Sequence, residues 1–168
     1  MTWDETTFRK RVWHGIETID PPGMAYDFAG LLAMAKAMLA SRRKGFPAQV
    51  ADGQRSQVDA DAEIALFEDL VADWEFIAAR GEGEPGNPRS REAQRDALDT
   101  SIKTIADLAR SRGGFPKSLE SQAEAVIALR WHLEPGRDQV ALARLTHQLD
   151  ASNPHRKAAP APSQEPAQ

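Results

Sequence analysis

Residues 39–47, Leu-Ala-Ser-Arg-Arg-Lys-Gly-Phe-Pro, nearly recur at residues 108–116 as Leu-Ala-Arg-Ser-Arg-Gly-Gly-Phe-Pro, with six of nine positions identical. Each copy closes a run of helix-forming residues and precedes another. Gly45 and Gly114 can take the left-handed conformation that ends a helix without a Cβ penalty. Phe46 and Phe115 follow where a ring folds back onto the last turn, and Pro47 and Pro116 bar continuation. Arg42, Arg43, Lys44, Arg110 and Arg112 fall in the last turns, where cations complement the helix dipole. A helix stop used twice, 69 residues apart, predicts an all-α, single-domain bundle of about six helices. Its halves are expected as two pseudo-repeated hairpins, over about 24–80 and 88–133.

The periodicity along the chain supplies the helices. Thr2-x-x-Glu5 has capping-box spacing, and Phe8, Val12, Ile16 and Ile19 follow at helical intervals. Asp20-Pro21-Pro22-Gly23 ends that segment. A second helix is expected from about Met24 to Lys44, with Phe28, Leu31, Leu32, Ala35, Met38 and Leu39 on its apolar face. A third starts at Asp59 and carries Ile64, Phe67, Val71, Trp74 and Ala78 three and four apart, ending at Arg80-Gly81. Gly81 to Pro88 reads as a flexible linker. Asn87-Pro88 opens a fourth helix that runs to about Arg112. A fifth begins at Ser118 or Ser121 and is broken by Glu134-Pro135-Gly136. Asp138 caps a short sixth with Val140, Leu142, Leu145 and Leu149. From Ala151 to Gln168, Pro, Ala, Ser and Gln dominate, and a disordered tail is expected.

Composition limits the chemistry. There is no Cys among the 168 residues, so disulfides, thiolate metal sites and Cys nucleophiles are excluded. The net charge of −4 argues against a general nucleic-acid footprint. No apolar run reaches membrane-spanning length, and the polar N-terminus lacks the pattern of a secretory signal. A cytoplasmic protein without membrane contact is the expectation.

Catalytic and metal motifs are missing from the linear sequence. His14, His132, His147 and His155 form no pair at helical i, i+4 spacing, and no His-Glu-x-x-His occurs. The carboxylates Glu63, Glu68, Asp69, Asp73 and Glu75 read as a solvated acidic face. Gly-rich phosphate loops and nucleophile elbows are absent from the sequence. Leu145-Thr-His-Gln-Leu149 is similar to the phospho-acceptor box of histidine kinases, but Asp150 and Ala151 stand where that family has a basic and a small residue. No cofactor or metal is expected.

What remains is binding. Two basic, aromatic-bearing corners on an acidic chain favour self-association or an oriented protein partner. The expected partner-binding residues are Arg42, Arg43, Lys44 and Phe46, with Arg110, Arg112, Phe115 and Lys117. The primary expectation is a non-catalytic helical protein-binding module.

Thr104-Ile105, Leu108 and Gly114-Phe-Pro-Lys-Ser-Leu119 suggest an alternative. This segment resembles the AlpA/MerR-like winged-helix regulators of prophages, in which it ends a recognition helix and opens the wing. The resemblance implies a DNA-binding accessory protein of a phage or mobile element, and it requires the two corners to lie side by side. The chain departs from the pattern by an extra residue before the Gly. It also lacks, over Arg91 to Ser101, the turn that splits two small helices. A third alternative is an enzyme whose carboxylates and His132 or His147 meet only in space.

Overall fold

The computed structural model describes residues 9–153. The expected capping box at Thr2 and Glu5, Phe8, and the tail from residue 154 onward lie outside the described residues. The order of elements is β1 (Arg9–Trp13), β2 (Ile16–Asp20), α1 (Phe28–Ala51), α2 (Gln57–Ala78), a 3-10 turn (Pro88–Ser90), α3 (Arg91–Ser111), α4 (Lys117–Trp131) and α5 (Gln139–Ser152). The described residues are all-α apart from one small hairpin, with five α-helices among them.

The expected first helix is that hairpin. β1 and β2 pair antiparallel, with Trp13 opposite Ile16 and Arg9 opposite Asp20. His14 and Gly15 form the two-residue turn, both at positive φ (49° and 91°), the geometry that matches strand twist. Val12 and Ile16 therefore fall in different strands and on opposite faces: Val12 is opposite Glu17 and exposed, and Ile16 is opposite the buried Trp13, so their helical interval is coincidental and His14-Gly15 marks the turn. The hairpin is seated on the end of α4. Trp13 is buried, and the Trp131 indole Nε1 donates to Asp20 Oδ1 at 2.9 Å.

The first cassette does not stop a helix. α1 runs unbroken through Gly45, Phe46 and Pro47 to Ala51. The second does: α3 ends at Ser111 and α4 starts at Lys117. The reason lies in one of the three differing positions. At the end of α3, Gly113 is left-handed (φ 74°). Its N–H donates to Arg110 O, and Gly114 N–H donates to Ala109 O, the paired bonds of a Schellman cap. The position matching Gly113 in the first copy is Lys44, for which that conformation is costly. The helix therefore continues until Gly53 (φ 73°), where Gly53 N–H meets Val50 O and Gln54 N–H meets Gln49 O. The pseudo-repeat is not a repeat of structure.

Other boundaries follow the sequence closely. Ser56, not Asp59, caps α2 by accepting from Asp59 N–H at 3.0 Å. Asn87 accepts from Arg89 N–H, and Asp138 caps α5 by accepting from Ala141 N–H at 3.0 Å. The 81–88 segment, expected as a flexible linker, is tied to α2 at two points, and the 3-10 turn that follows at a third. Gly86 N–H donates to Asp73 Oδ1 at 2.8 Å, Asn87 N–H to Asp69 Oδ1 at 3.1 Å, and the Ser90 hydroxyl to the Asp69 carboxylate.

The packing is a bundle. α1 lies along α2, α2 on α3, α3 on α4, and α4 returns to α1; α5 docks on α2. Leu31, Phe67, Leu70, Leu98, Ile102, Ile127 and Leu129 are the large, fully enclosed apolar side chains.

Candidate functional site

The first corner is largely internal. Arg42 donates from Nε to Glu63 Oε2 at 3.0 Å, from Nη1 to Met38 O at 3.1 Å and from Nη2 to Ser101 Oγ at 3.1 Å. Its guanidinium stacks 3.8 Å from the Phe67 ring centroid. Arg42 thus joins α1, α2 and α3, the use to which a planar five-donor group is suited. Phe46 is 6% exposed, covered by the Arg55 guanidinium at 4.1 Å. Arg43 and Lys44 are exposed, with Arg43 3.6 Å from Glu68.

The second corner is at the surface. Phe115 is 41% exposed, and Arg112 and Lys117 are exposed beside it in the chain. Arg110 holds Asp107 at 2.5 Å and reaches the His14 carbonyl at 3.4 Å, so it bridges α3 to the hairpin turn. The two corners do not meet. Phe46 lines a groove with Ser118, Gln122 and Ala125 of α4. Phe115 lines another, against β2, with Glu120, Glu124 and Ile127 of α4. These are different faces of one helix. The winged-helix geometry is absent as well, because α3 is continuous from Arg91 to Ser111 and Lys117 opens a helix, not a wing.

Three arginines gather on Glu134, just after α4. Arg11 from β1 pairs with it, Arg137 donates to it at 2.8 Å, and Arg130 lies 3.7 Å away. Burial pushes this carboxyl up, but the hydrogen bond and charge of Arg11, with Arg137 and Arg130, outweigh it and hold Glu134 below its ordinary range. Arg11 also stacks on Trp13 and Arg137 on Trp131, at 3.8 and 3.9 Å. The cluster staples the hairpin to the bundle, and Arg130 is held by Asp99 as well, at 3.0 Å.

His132 sits in an aromatic cage. Trp131 and Trp74 approach at centroid distances of 4.9 and 5.0 Å, Tyr26 and Phe28 at 6.4 Å. Its Nε2–H donates to Ala25 O at 2.5 Å, and Nδ1 is enclosed without a partner. Burial lowers its pKa, the Ala25 bond opposes, and Arg137 adds to the lowering. The lowered pKa keeps the ring neutral at pH 7, and only 6% of the residue is exposed.

An exposed apolar stripe on α5 was not marked by the sequence. α5 turns Val140, Ala143 and Asp150 inward. Leu142, Leu145 and Leu149 face out and are 53%, 50% and 41% exposed. The inner face is chosen by close packing. A Cβ on Gly81 would lie 2.2 Å from Ala143 O, so the small residues of α5 rest on the end of α2 and the leucines are left outside. Leu142 also borders a groove of about 250 Å3 that contains Phe28, Ala29 and Ile77, which extends the apolar surface toward the start of α1.

No family model, curated protein or solved structure matches this chain. Among the described residues no group of three His, Asp or Glu could hold a metal ion. No helix among them is long and apolar enough to cross a membrane.

Proposed function

We propose that this chain is a non-catalytic helical protein-binding module that self-associates through the outer face of α5. The observation that carries the reading is the stripe of Leu142, Leu145 and Leu149. Contiguous exposed apolar side chains on one helix face mark contact surfaces. Spacings of three and four are those of a helix–helix seam.

A second copy is the occupant the stripe fits. Ala141, Thr146 and Gln148 beside it carry no charge, and of its charged neighbours Asp138 is paired with Arg91 and Arg144 has the opposite sign, so two identical faces meet little like-charge repulsion. The helix is preorganised by its docking on α2, which spares the cost of ordering it on contact. Covering the exposed half of each leucine contributes about 1 kcal/mol apiece. That supports association in the micromolar to millimolar range, not a permanent dimer.

Sedimentation of the full chain from about 10 μM to about 1 mM tests this. The mean mass is expected to rise with concentration and to change little with salt, because the contact is apolar. Leu145→Asp should remain a monomer throughout while melting at the wild-type temperature, since Leu145 lies outside the core. Wild-type protein that stays monomeric at the highest concentration overturns the reading.

A further inference from the structure

A separate cavity of about 280 Å3 lies where the α4–α5 connection crosses the middle of α2 and the start of α3. Leu70, Trp74, Ile77 and Val140 are among its apolar walls. One wall carries Asp73, a carboxylate only 4% exposed. Its Oδ1 accepts from Gly86 N–H at 2.8 Å; among the described residues no donor holds Oδ2.

The cations around the cavity are engaged by carboxylates other than Asp73. Asp73, Glu134 and Asp138 line it with Arg91 and Arg137. Arg91 is engaged by Asp138 at 3.4 Å and Arg137 by Glu134 at 2.8 Å. His132, the remaining titratable lining group, is neutral. Glu134 has Arg11 and Arg130 as well, whereas Asp73 forms no ion pair among the described residues and feels Arg91 only at longer range. Burial pushes the Asp73 carboxyl up to about 6; Gly86 and Arg91 oppose that rise, and Asp69 and Asp138 add to it. A carboxylate in an apolar recess gains most from a cationic partner that displaces little other solvation.

We propose that this cavity binds a small organic amine, its ammonium group on Asp73 Oδ2 and its apolar body against Leu70, Trp74 and Ile77. Each part of the site matches a part of that ligand. The carboxylate selects a cation, the Trp74 ring adds a face that attracts one, and the apolar walls accept a short hydrocarbon body. The volume is at the small end of ligand cavities, so the ligand is compact. Val140 faces this cavity from the inner side of α5, whereas the leucine stripe is on the outer side. Amine binding and self-association are therefore separable.

The test uses benzylamine and n-butylamine against benzyl alcohol, followed by amide chemical shifts of the full chain. Either amine should give saturable shifts confined to residues near 70–77, 86 and 132–140, and the alcohol should bind at least about tenfold more weakly. Asp73→Asn keeps an oxygen for Gly86 N–H and should abolish the amine response. In wild-type protein affinity should rise between about pH 5 and about pH 7 as Asp73 ionises. Equal binding of alcohol and amine, retained amine binding in Asp73→Asn, or no saturable shift with either amine overturns the proposal. The comparison of amine with alcohol needs no variant, so it stands even if Asp73→Asn fails to fold.

Discussion

Arg80 grips Asp150 with two parallel hydrogen bonds, Nε to Oδ2 at 3.1 Å and Nη2 to Oδ1 at 3.2 Å, and so ties the end of α2 to the end of α5. Arg80 does this from a left-handed backbone, φ 56°. Its N–H meets Ile77 O, and Gly81 N–H meets Phe76 O, so Arg80 occupies the position that a glycine holds at the ends of α1 and α3.

Those two roles of Arg80 oppose each other in energy and can be separated. Arg80→Ala loses the clamp and keeps the strained backbone. It should lower stability by about 1 kcal/mol, since the guanidinium is largely exposed and the pair is screened. Arg80→Gly loses the same clamp but relieves about 1 kcal/mol of left-handed strain, and should unfold near the wild-type urea midpoint. Equal losses in the two variants would show that the backbone there is unstrained.

Glycines in the two cassettes should respond in opposite directions. Gly45 is mid-helix, and a Cβ there would find only Gln49 Nε2, at 3.9 Å. Gly45→Ala should therefore stabilise by about 0.5–1 kcal/mol. Gly113 has open space around it but a φ of 74°, so Gly113→Ala should cost about 1 kcal/mol. Urea unfolding of both variants measures the pair. A destabilising Gly45→Ala would mean that α1 does break at the first cassette.

The same glycines show what could be read before the structure. Helices α2 to α5 and their caps at Asn87 and Asp138 were legible because capping chemistry and apolar spacing are local. The cassette misled because its visible identity, Gly-Phe-Pro, does not do the stopping. That depends on Gly113, which the first copy replaces with Lys44. The hairpin was hidden by a helical interval between Val12 and Ile16 that is coincidental, since the two lie in different strands on opposite faces. The outward leucines of α5 were not legible at all. Which face of that helix turns inward is set by how Gly81 meets Ala143, a contact between residues 62 positions apart. The cavity at Asp73 is assembled from α2, α3 and the α4–α5 connection, and no linear pattern records it.

Asp73 should leave a signature in the pH dependence of stability. Its folded pKa, about 6, is above that of the unfolded chain. The folded state therefore holds its proton longer, and stability falls as pH rises from about 4 to about 6, by up to about 3 kcal/mol in all. Asp73→Asn removes the buried charge and keeps an acceptor for Gly86, so it should be more stable than wild type at pH 8 and match it near pH 4. His132 acts in the other sense. Its folded pKa is lowered, so its contribution is lost as pH falls below the ordinary imidazole value. Because His132 is present in both proteins, the difference between their urea midpoints across pH isolates Asp73. Parallel profiles would mean that Asp73 ionises as an ordinary carboxylate.

Gly81→Ala should be the most damaging of these glycine changes, for a reason distinct from that at Gly113. The φ of Gly81 is 87°, and its added Cβ would lie 2.2 Å from Ala143 O and 2.7 Å from His147 Cβ. Ala143 O is helix backbone and cannot swing aside as a side chain could, so α5 has to move off α2. The expected loss exceeds about 2 kcal/mol, the left-handed penalty plus the overpacking. Faster hydrogen exchange should be confined to α5, while the amides of α3 and α4 keep their protection. Since a displaced α5 no longer presents a fixed leucine stripe, the variant should also sediment as a monomer. A Gly81→Ala protein that melts like Gly113→Ala and keeps α5 protected would show that this helix is not seated by the contact with Gly81. The orientation of Leu142, Leu145 and Leu149, on which the proposed interface depends, would then need another cause.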